Sequence, residues 1–400
     1  MEGRAVDNPG RCLNRAERTL RIPELDTVAD HTIDEALSYY RVPGLSLAVV
    51  RAGAVVDVRA YGIVDHGKRT RVDRSTRFQA CSVSKPIAVL GMLRLVADGM
   101  LDLDRDIEDY LTSWKLPVDD RRPAITLRQL ASHRAGLTVH GFPGYGRDEP
   151  LPELPDILDG LPPANTAAVR VERSPGSSYS YSGGGTTVMQ LLLEDATDRP
   201  FAELMNDLVL KPIGMADSSF AQPAALADES CLASGHDEDG RPLPGGWQVH
   251  PEQAAAGLWT TAGDLARALV AVQRSIDGPG GIIPVQLARE TLGVGLASAS
   301  DRRESTLSQA GVGFFTGEAG GARYIGHTGA NRGFRSLLLG EARPGVGIAV
   351  MTNADNGGHL VRAVTDAVAD AYGWPGGDEV RLAHAGPATT RDPSRPPAEP

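Results

Sequence analysis

Arg77-Phe78-Gln79-Ala80-Cys81-Ser82-Val83-Ser84-Lys85-Pro86 is the stretch that decides how this chain is read. A strand-like run over residues 77–81 gives way there to a helical one over 86–99. Proline is tolerated only in the first turn of a helix, so Pro86 places the helix start beside Ser82. Residues three apart share a helical face, which brings the Lys85 amine within reach of the Ser82 hydroxyl. A hydroxyl at a helix N-terminus also meets free backbone N–H groups and the positive dipole end, which would stabilise an oxyanion. A Ser-x-x-Lys arises roughly once by chance in ~400 residues, as a capping serine and a surface lysine. Only four lysines occur in this chain, however, so one at position 85 is less casual.

Outward from this segment, residues 44–51 and 54–62 read as two β-rich runs joined at Ala52-Gly53, a hairpin signal. A helix-like pattern over 27–40 precedes them. From about 100 to 270 the patterns are mainly helical, at 127–133, 184–197, 201–209 and 261–275. Short β-like runs return at 323–327, 333–339 and 347–352, and a helix over 358–372 closes the chain. The expected fold is α/β of the α+β type: a mainly antiparallel sheet of five or more strands, drawn from both chain ends and flanked by helices, with an inserted helical lobe. Its expected parts are an N-terminal extension (1–25), a discontinuous sheet lobe (26–99 and 276–374), a helical lobe (100–275) and a disordered, proline-rich tail (375–400).

Composition narrows the function classes. The chain has 400 residues, 41% of them hydrophobic, enough for a sizeable core. A net charge of −11 argues against a nucleic-acid partner. Cys12, Cys81 and Cys231 are odd in number and far apart, which suits free thiols in a reducing compartment better than a disulfide framework. Residues 1–21 show no apolar run, and no later stretch approaches the ~18 apolar residues of a membrane helix, so the expectation is a cytoplasmic protein with no membrane partner. The segment Gly62-Ile63-Val64-Asp65-His66-Gly67-Lys68-Arg69 nearly matches a phosphate-binding loop, but Arg69 stands where a magnesium-binding Ser or Thr is needed; it reads as a turn. Neither a G-x-S-x-G elbow nor an H-E-x-x-H metal motif occurs, and neither a metal nor a cofactor is expected.

Two further segments carry chemistry-bearing side chains. Tyr179-Ser180-Tyr181-Ser182-Gly183-Gly184-Gly185 runs from a turn into glycines that open a helix, and a tyrosine on such a loop either relays protons or packs the loop on the core. His327-Thr328-Gly329-Ala330 ends a late β-run, where glycine allows close approach of a ligand; a lone histidine there is usually structural.

In order and spacing, Ser82-x-x-Lys85, Tyr181-Ser182-Gly183 and His327-Thr328-Gly329 resemble the three motifs of the serine β-lactamase and penicillin-binding-protein-like hydrolases, nearest to the class C β-lactamase-like esterases. The text around residues 78–104, 130–137, 210–215 and 326–333 is similar too, and the likeness extends over roughly residues 30–372. It implies a β-lactamase/transpeptidase-like fold, Ser82 as acylated nucleophile, Lys85 as its partner and Tyr181 as proton relay. The backbone N–H groups of Ser82 and Ala330 would form the oxyanion hole. Gly183, His327, Thr328 and Gly329 would line the substrate site. Free lysine and tyrosine titrate near ~10.4 and ~10, so a base at neutral pH needs a drop of about 3 units.

Departures bear on substrate. Many β-lactamases and transpeptidases carry asparagine where Gly183 stands and lysine where His327 stands, contacts to a lactam amide and carboxylate that are absent here. Arg332 and Arg335 are candidates to replace the missing charge, with surface solvation as the plainer role. The leading expectation is a serine hydrolase cleaving small carboxylic esters through acyl-Ser82. The alternatives are an acyltransferase of small-molecule biosynthesis, a D-amino-acid peptidase or β-lactamase, and a non-catalytic acylation sensor. Hydrolysis and acyl transfer differ in how well loops between 136 and 168 exclude water.

Overall fold

The computed structural model describes residues 9–22, 30–65, 67, 70–117, 124–222, 229–293, 306–377 and 380. Nine strands are described: β1 (Gly44–Arg51), β2 (Ala54–Gly62), β3 (Phe78–Gln79), β4 (Trp259–Thr260), β5 (Gln309–Ala310), β6 (Phe315–Ala319), β7 (Ala322–Asn331), β8 (Phe334–Glu341) and β9 (Gly347–Thr352). Seven form one antiparallel sheet in the order β2-β1-β9-β8-β7-β6-β5, and β3 pairs with β4 apart from it. The sheet of five or more strands expected from sequence is thus extended by β5 and β6, which lie in a glycine-rich stretch where no strand was expected.

Central strands look uniformly apolar because both faces are covered. Leu45, Leu47 and Val49 of β1, Leu337 and Leu339 of β8, and Ile348 and Val350 of β9 point to a core shared with the closing helix Gly357–Tyr372. Their neighbours Ala48, Val50, Leu338, Ala349 and Met351 point the other way, to the core built on helices Ser84–Ala97 and Ala262–Asp277. Each fully buried aliphatic side chain contributes about 2 kcal/mol, so a one-residue slip of register would invert both cores. On β7, Ile325 belongs to the second core and Tyr324 to the first. With no register shift along β7 and β8, His327, Gly329 and Asn331 share the Ile325 face, toward the nucleophile segment.

The middle of the chain is less regular than expected. Between residues 100 and 182 the described helices are short, Leu127–Ala131 and Leu154–Asp159 with a turn at Ile107–Asp109, joined by irregular backbone. The strand expected over 77–81 is reduced to Phe78–Gln79. The early helix begins only at Ile33, after a capping box between Thr32 and Glu35. At the N-terminus, helix Pro9–Ala16 is anchored by buried Leu13, and Tyr372 donates to the Pro9 carbonyl (2.9 Å), so part of the expected extension belongs to the core. The first residues expected in the tail are also placed against the core. Tyr324 donates to the Pro375 carbonyl (2.7 Å) and Val380 is buried, while residues 381–400 lie outside the described residues. In the phosphate-loop look-alike, Val64 N–H donates to the Thr70 carbonyl (2.8 Å), closing a turn; His66, Lys68 and Arg69 lie outside the described residues. Among the described residues, no helix is long and apolar enough to cross a membrane, and no three His, Cys, Asp or Glu side chains gather to hold a metal ion.

Candidate active site

The segment carrying Ser82 is built mainly by backbone. After β3, Ala80 N–H donates to the Leu258 carbonyl (2.8 Å) and the Ala80 carbonyl accepts from Ser336 Oγ (2.6 Å). Cys81 turns the chain with φ +54°, a left-handed conformation that costs a non-glycine residue energy and persists only where surroundings enforce it. Enforcement comes from Ser84, whose hydroxyl donates to the Cys81 carbonyl (2.5 Å) and accepts from Leu258 N–H (3.0 Å). A single turn of 3₁₀ helix, Cys81–Val83, then feeds helix Ser84–Ala97. Gly329 of β7 closes against this turn. A Cβ at 329 would meet Ser336 Oγ, the Ala80 carbonyl oxygen at 2.6 Å and Cys81 Cβ at 2.9 Å, so only glycine fits. Full burial pushes the Cys81 thiol up to about 12, leaving it inert beside Ser82.

Lys85 is 4% exposed and donates to Ser82 Oγ (3.1 Å) and to the Ala255 carbonyl (2.7 Å). Its ammonium lies 5.2 Å from the ring centroid of Tyr181. Ala255 sits in the short helix Gln253–Ala256, whose approach contains two buried titratable residues that sequence reading missed. Neither ring nitrogen of His250 and neither carboxyl oxygen of Glu252 has a hydrogen-bond partner among the described residues. Burial, with a smaller push from the Lys85 charge, lowers His250 to about 4; burial raises Glu252 to about 8. Both side chains are therefore neutral near pH 7. No local pattern marks them, since burial of a polar side chain is a tertiary property.

Tyr181 rests on a loop held by side chains. Ser180 N–H donates to the His133 carbonyl (2.8 Å), Ser182 N–H donates to His133 Nδ1 (3.2 Å), and His140 Nδ1–H donates to the Tyr181 carbonyl. The phenol ring packs against His133 (4.2 Å between centroids), His327 (6.2 Å) and Phe315 (6.4 Å). Ser182 caps the next helix, accepting from Gly185 N–H (2.8 Å) while donating to the Thr138 carbonyl (2.7 Å). At Gly183 a Cβ would lie 3.0 Å from Phe142 Cε2 and 3.2 Å from the His140 carbonyl oxygen. The segment carrying His140 and Phe142 thus crowds the space into which a longer side chain at 183 would start.

The remaining expected substrate residues fall on β7 and its hairpin. β6 pairs with β7 only as far as Gly326, so beyond it β8 flanks one side of β7 and, among the described residues, no strand flanks the other. Thr328 and Ala330 are half-buried on this stretch. His327 is 1% exposed and donates from Nδ1 to the Thr328 carbonyl (2.6 Å), a wall position beside Tyr181 and Phe315 rather than a solvated charge. Arg332 is exposed at the hairpin tip. Arg335 is neither solvated nor aimed at a ligand: it is buried, pairs with Asp355 (3.0 Å) and donates to the Asn331 and Phe334 carbonyls (2.8 Å each). A separate cavity of about 450 Å³, lined in part by Arg94, Arg267 and Arg274, touches none of these groups.

A serine beside a buried lysine, set at a helix start against the bare half of a β-strand, on an antiparallel sheet covered by helices, is the architecture of β-lactamase/transpeptidase-type serine hydrolases. Comparison with known proteins agrees. The chain belongs to the Beta-lactamase family, whose profile matches residues 29–373. It is 29% identical over 302 residues to esterase EstB of Burkholderia gladioli, covering 66% of this chain and 74% of that one. It is 26% identical over 347 residues to a D-aminopeptidase of Brucella anthropi, covering 86% of this chain but only 62% of that protein. The octameric penicillin-binding-protein homologue from Pyrococcus abyssi superposes with a TM-score of 0.70 at 23% identity, over 87% of this chain and 77% of that one.

Proposed function

We propose that this serine hydrolase cleaves small carboxylic esters through an acyl-Ser82 intermediate. The observation that carries the reading is the 3.1 Å contact between the nearly buried Lys85 Nζ and the half-buried Ser82 Oγ. Ser82 Oγ attacks the ester carbonyl and its proton passes to the Lys85/Tyr181 pair. The oxyanion is held by the Ser82 and Ala330 N–H groups; its collapse breaks the C–O bond to the alcohol, and the alkoxide takes the proton back from Tyr181. Water then attacks the acyl group, its proton moves to the same pair, and Ser82 leaves reprotonated with release of the acid.

Esters are favoured over lactams by the crowding at Gly183, which leaves Phe142 and the His140 carbonyl where an amide-binding side chain would begin. Similarity to an esterase supports the same choice. The D-aminopeptidase likeness supports amides of D-amino acids as the second reading. Three free cysteines suit a cytoplasmic setting.

Steady-state hydrolysis of short p-nitrophenyl esters, a D-amino-acid p-nitroanilide and a chromogenic cephalosporin, with intact-mass analysis, tests the proposal. We expect multiple turnovers on esters that fall at least about 10³-fold in Ser82→Ala. Wild-type turnover by that variant would sink the reading, and faster turnover of the anilide would transfer it to D-amino-acid amides.

A further inference from the structure

We propose that His133 and His140 are positioning residues that set the orientation of Tyr181 by gripping one peptide group, an inference that rests on the catalytic reading above. The Tyr181 carbonyl and the Ser182 N–H belong to a single planar unit. His140 Nδ1–H donates to its oxygen and His133 Nδ1 accepts from its nitrogen, so both hydrogen-bonding positions of that plane are occupied by imidazoles. Fixing the plane fixes the Cα–C bond about which ψ of Tyr181 turns, and with Ser180 N–H held on the His133 carbonyl on the preceding side (2.8 Å) it limits the line along which the side chain leaves the backbone. The two roles are opposite in kind: His133 must leave Nδ1 bare, and His140 must carry a proton there.

His133 is built for this and costly to place. It is 7% exposed and adopts φ +56°, a left-handed conformation unusual for a side-chain-bearing residue and found most often where function needs it. That backbone directs its carbonyl to Ser180 N–H (2.8 Å) while its ring lies 4.2 Å from the Tyr181 ring. Residues on both sides of Tyr181 are thereby tied to His133. The Tyr181 loop lacks helix or strand pairing of its own up to Ser182, so these contacts replace a secondary-structure scaffold. Both bonds end on the Tyr181–Ser182 peptide, so the influence assigned here to the two histidines passes through Tyr181.

The test compares wild type with His133→Phe, which keeps a ring but removes the acceptor, and His133→Asn, whose amide oxygen restores an acceptor at similar reach. His140→Ala and His140→Asn form the matching pair on the exposed side. Ester kcat and KM are measured together with the rate at which a fluorophosphonate labels Ser82, followed by intact mass. Expected for His133→Phe is a kcat loss of about 30- to 100-fold with KM within about threefold, and for His133→Asn recovery to within about fivefold of wild type. His140→Ala should lose about tenfold in kcat and His140→Asn recover it. Wild-type kcat in His133→Phe, or an Asn variant no better than its Phe or Ala counterpart, overturns the grip. Should His133→Phe fail to fold, the His140 pair decides alone. Equal labelling rates in all variants overturn the grip while leaving the serine-hydrolase reading standing; absence of labelling in wild type overturns that reading and the grip with it.

Discussion

The Ser82 turn and the Tyr181 loop face each other across the site, yet they are held in different ways. Around Ser82, the backbone of residues 80–84 is tied to Leu258 and Ser336 by non-titrating groups, and Gly329 is packed so closely that a Cβ has no room. Around Tyr181, two imidazoles hold the Tyr181–Ser182 peptide, beside the bonds from Ser180 N–H to the His133 carbonyl and from Ser182 to the Thr138 carbonyl. On the proposed reading, the nucleophile is held by peptide and hydroxyl groups, whereas the proton relay depends in part on two imidazoles.

The sharpest way to break this contrast is steric. Gly329→Val drives its side chain into the Ala80 carbonyl and Cys81, and we expect kcat to fall about 10³-fold or the fold to fail, read by ester hydrolysis and melting temperature. Retained activity would show that the Ser82 turn has slack.

Next in size is the pH response beneath Lys85. Glu252 carries a folded pKa raised from the ordinary 4.5 to about 8, so ionisation favours the unfolded chain: stability is whole below about pH 4.5 and declines as pH rises to about 8. At pH 7 the loss is roughly 3 kcal/mol, from a difference of about 2.5 units at about 1.4 kcal/mol each. His250, lowered from 6.5 to about 4, acts in the opposite direction, with stability lost as pH falls from 6.5 toward 4. Urea unfolding from pH 5 to pH 8 should therefore show Glu252→Gln gaining steadily on wild type, and parallel profiles would refute the assignment. This pair is the exception that qualifies the comparison, because the lysine's support carries titratable groups even though the turn does not.

The smallest effect separates cap from grip. Ser182→Ala removes the acceptor for Gly185 N–H and should cost about 1 kcal/mol of stability while leaving kcat within about threefold, since the histidines still hold the peptide. A kcat collapse as deep as that expected for His133→Phe would give the positioning role to the helix cap instead.

Legibility in the sequence followed the range of the interactions. β1, β2 and β9 have the bounds that their apolar runs and the Ala52-Gly53 turn foretold, because strand edges of that kind are set by neighbouring residues. The Ser82–Lys85 pairing was legible for the same reason, being a one-turn helical relation. β5 and β6 were missed: Gly311, Gly313 and Gly317 interrupt the local pattern, and it is pairing of β6 with β7, and of β5 with β6, that makes the strands. His133 sat unremarked in a stretch singled out only for its likeness, and His250 and Glu252 drew no notice, since their significance comes from what surrounds them after folding. Arg335 showed the reverse failure, a charge that looked solvated and is buried on Asp355.

The hydrogen bond from Ser336 to the Ala80 carbonyl spans 256 positions of sequence. Translation at roughly 5–20 residues per second puts some 10–50 s between the emergence of its two ends. β1 waits longer still for β9, its central partner, since Leu45 pairs with Thr352. Throughout that interval Ser82 has left the ribosome without the wall that shapes its turn, so on the catalytic reading proposed above a half-made chain carries a serine and no nucleophile. On that reading, chain connectivity delays the reactive site until the late strands are made.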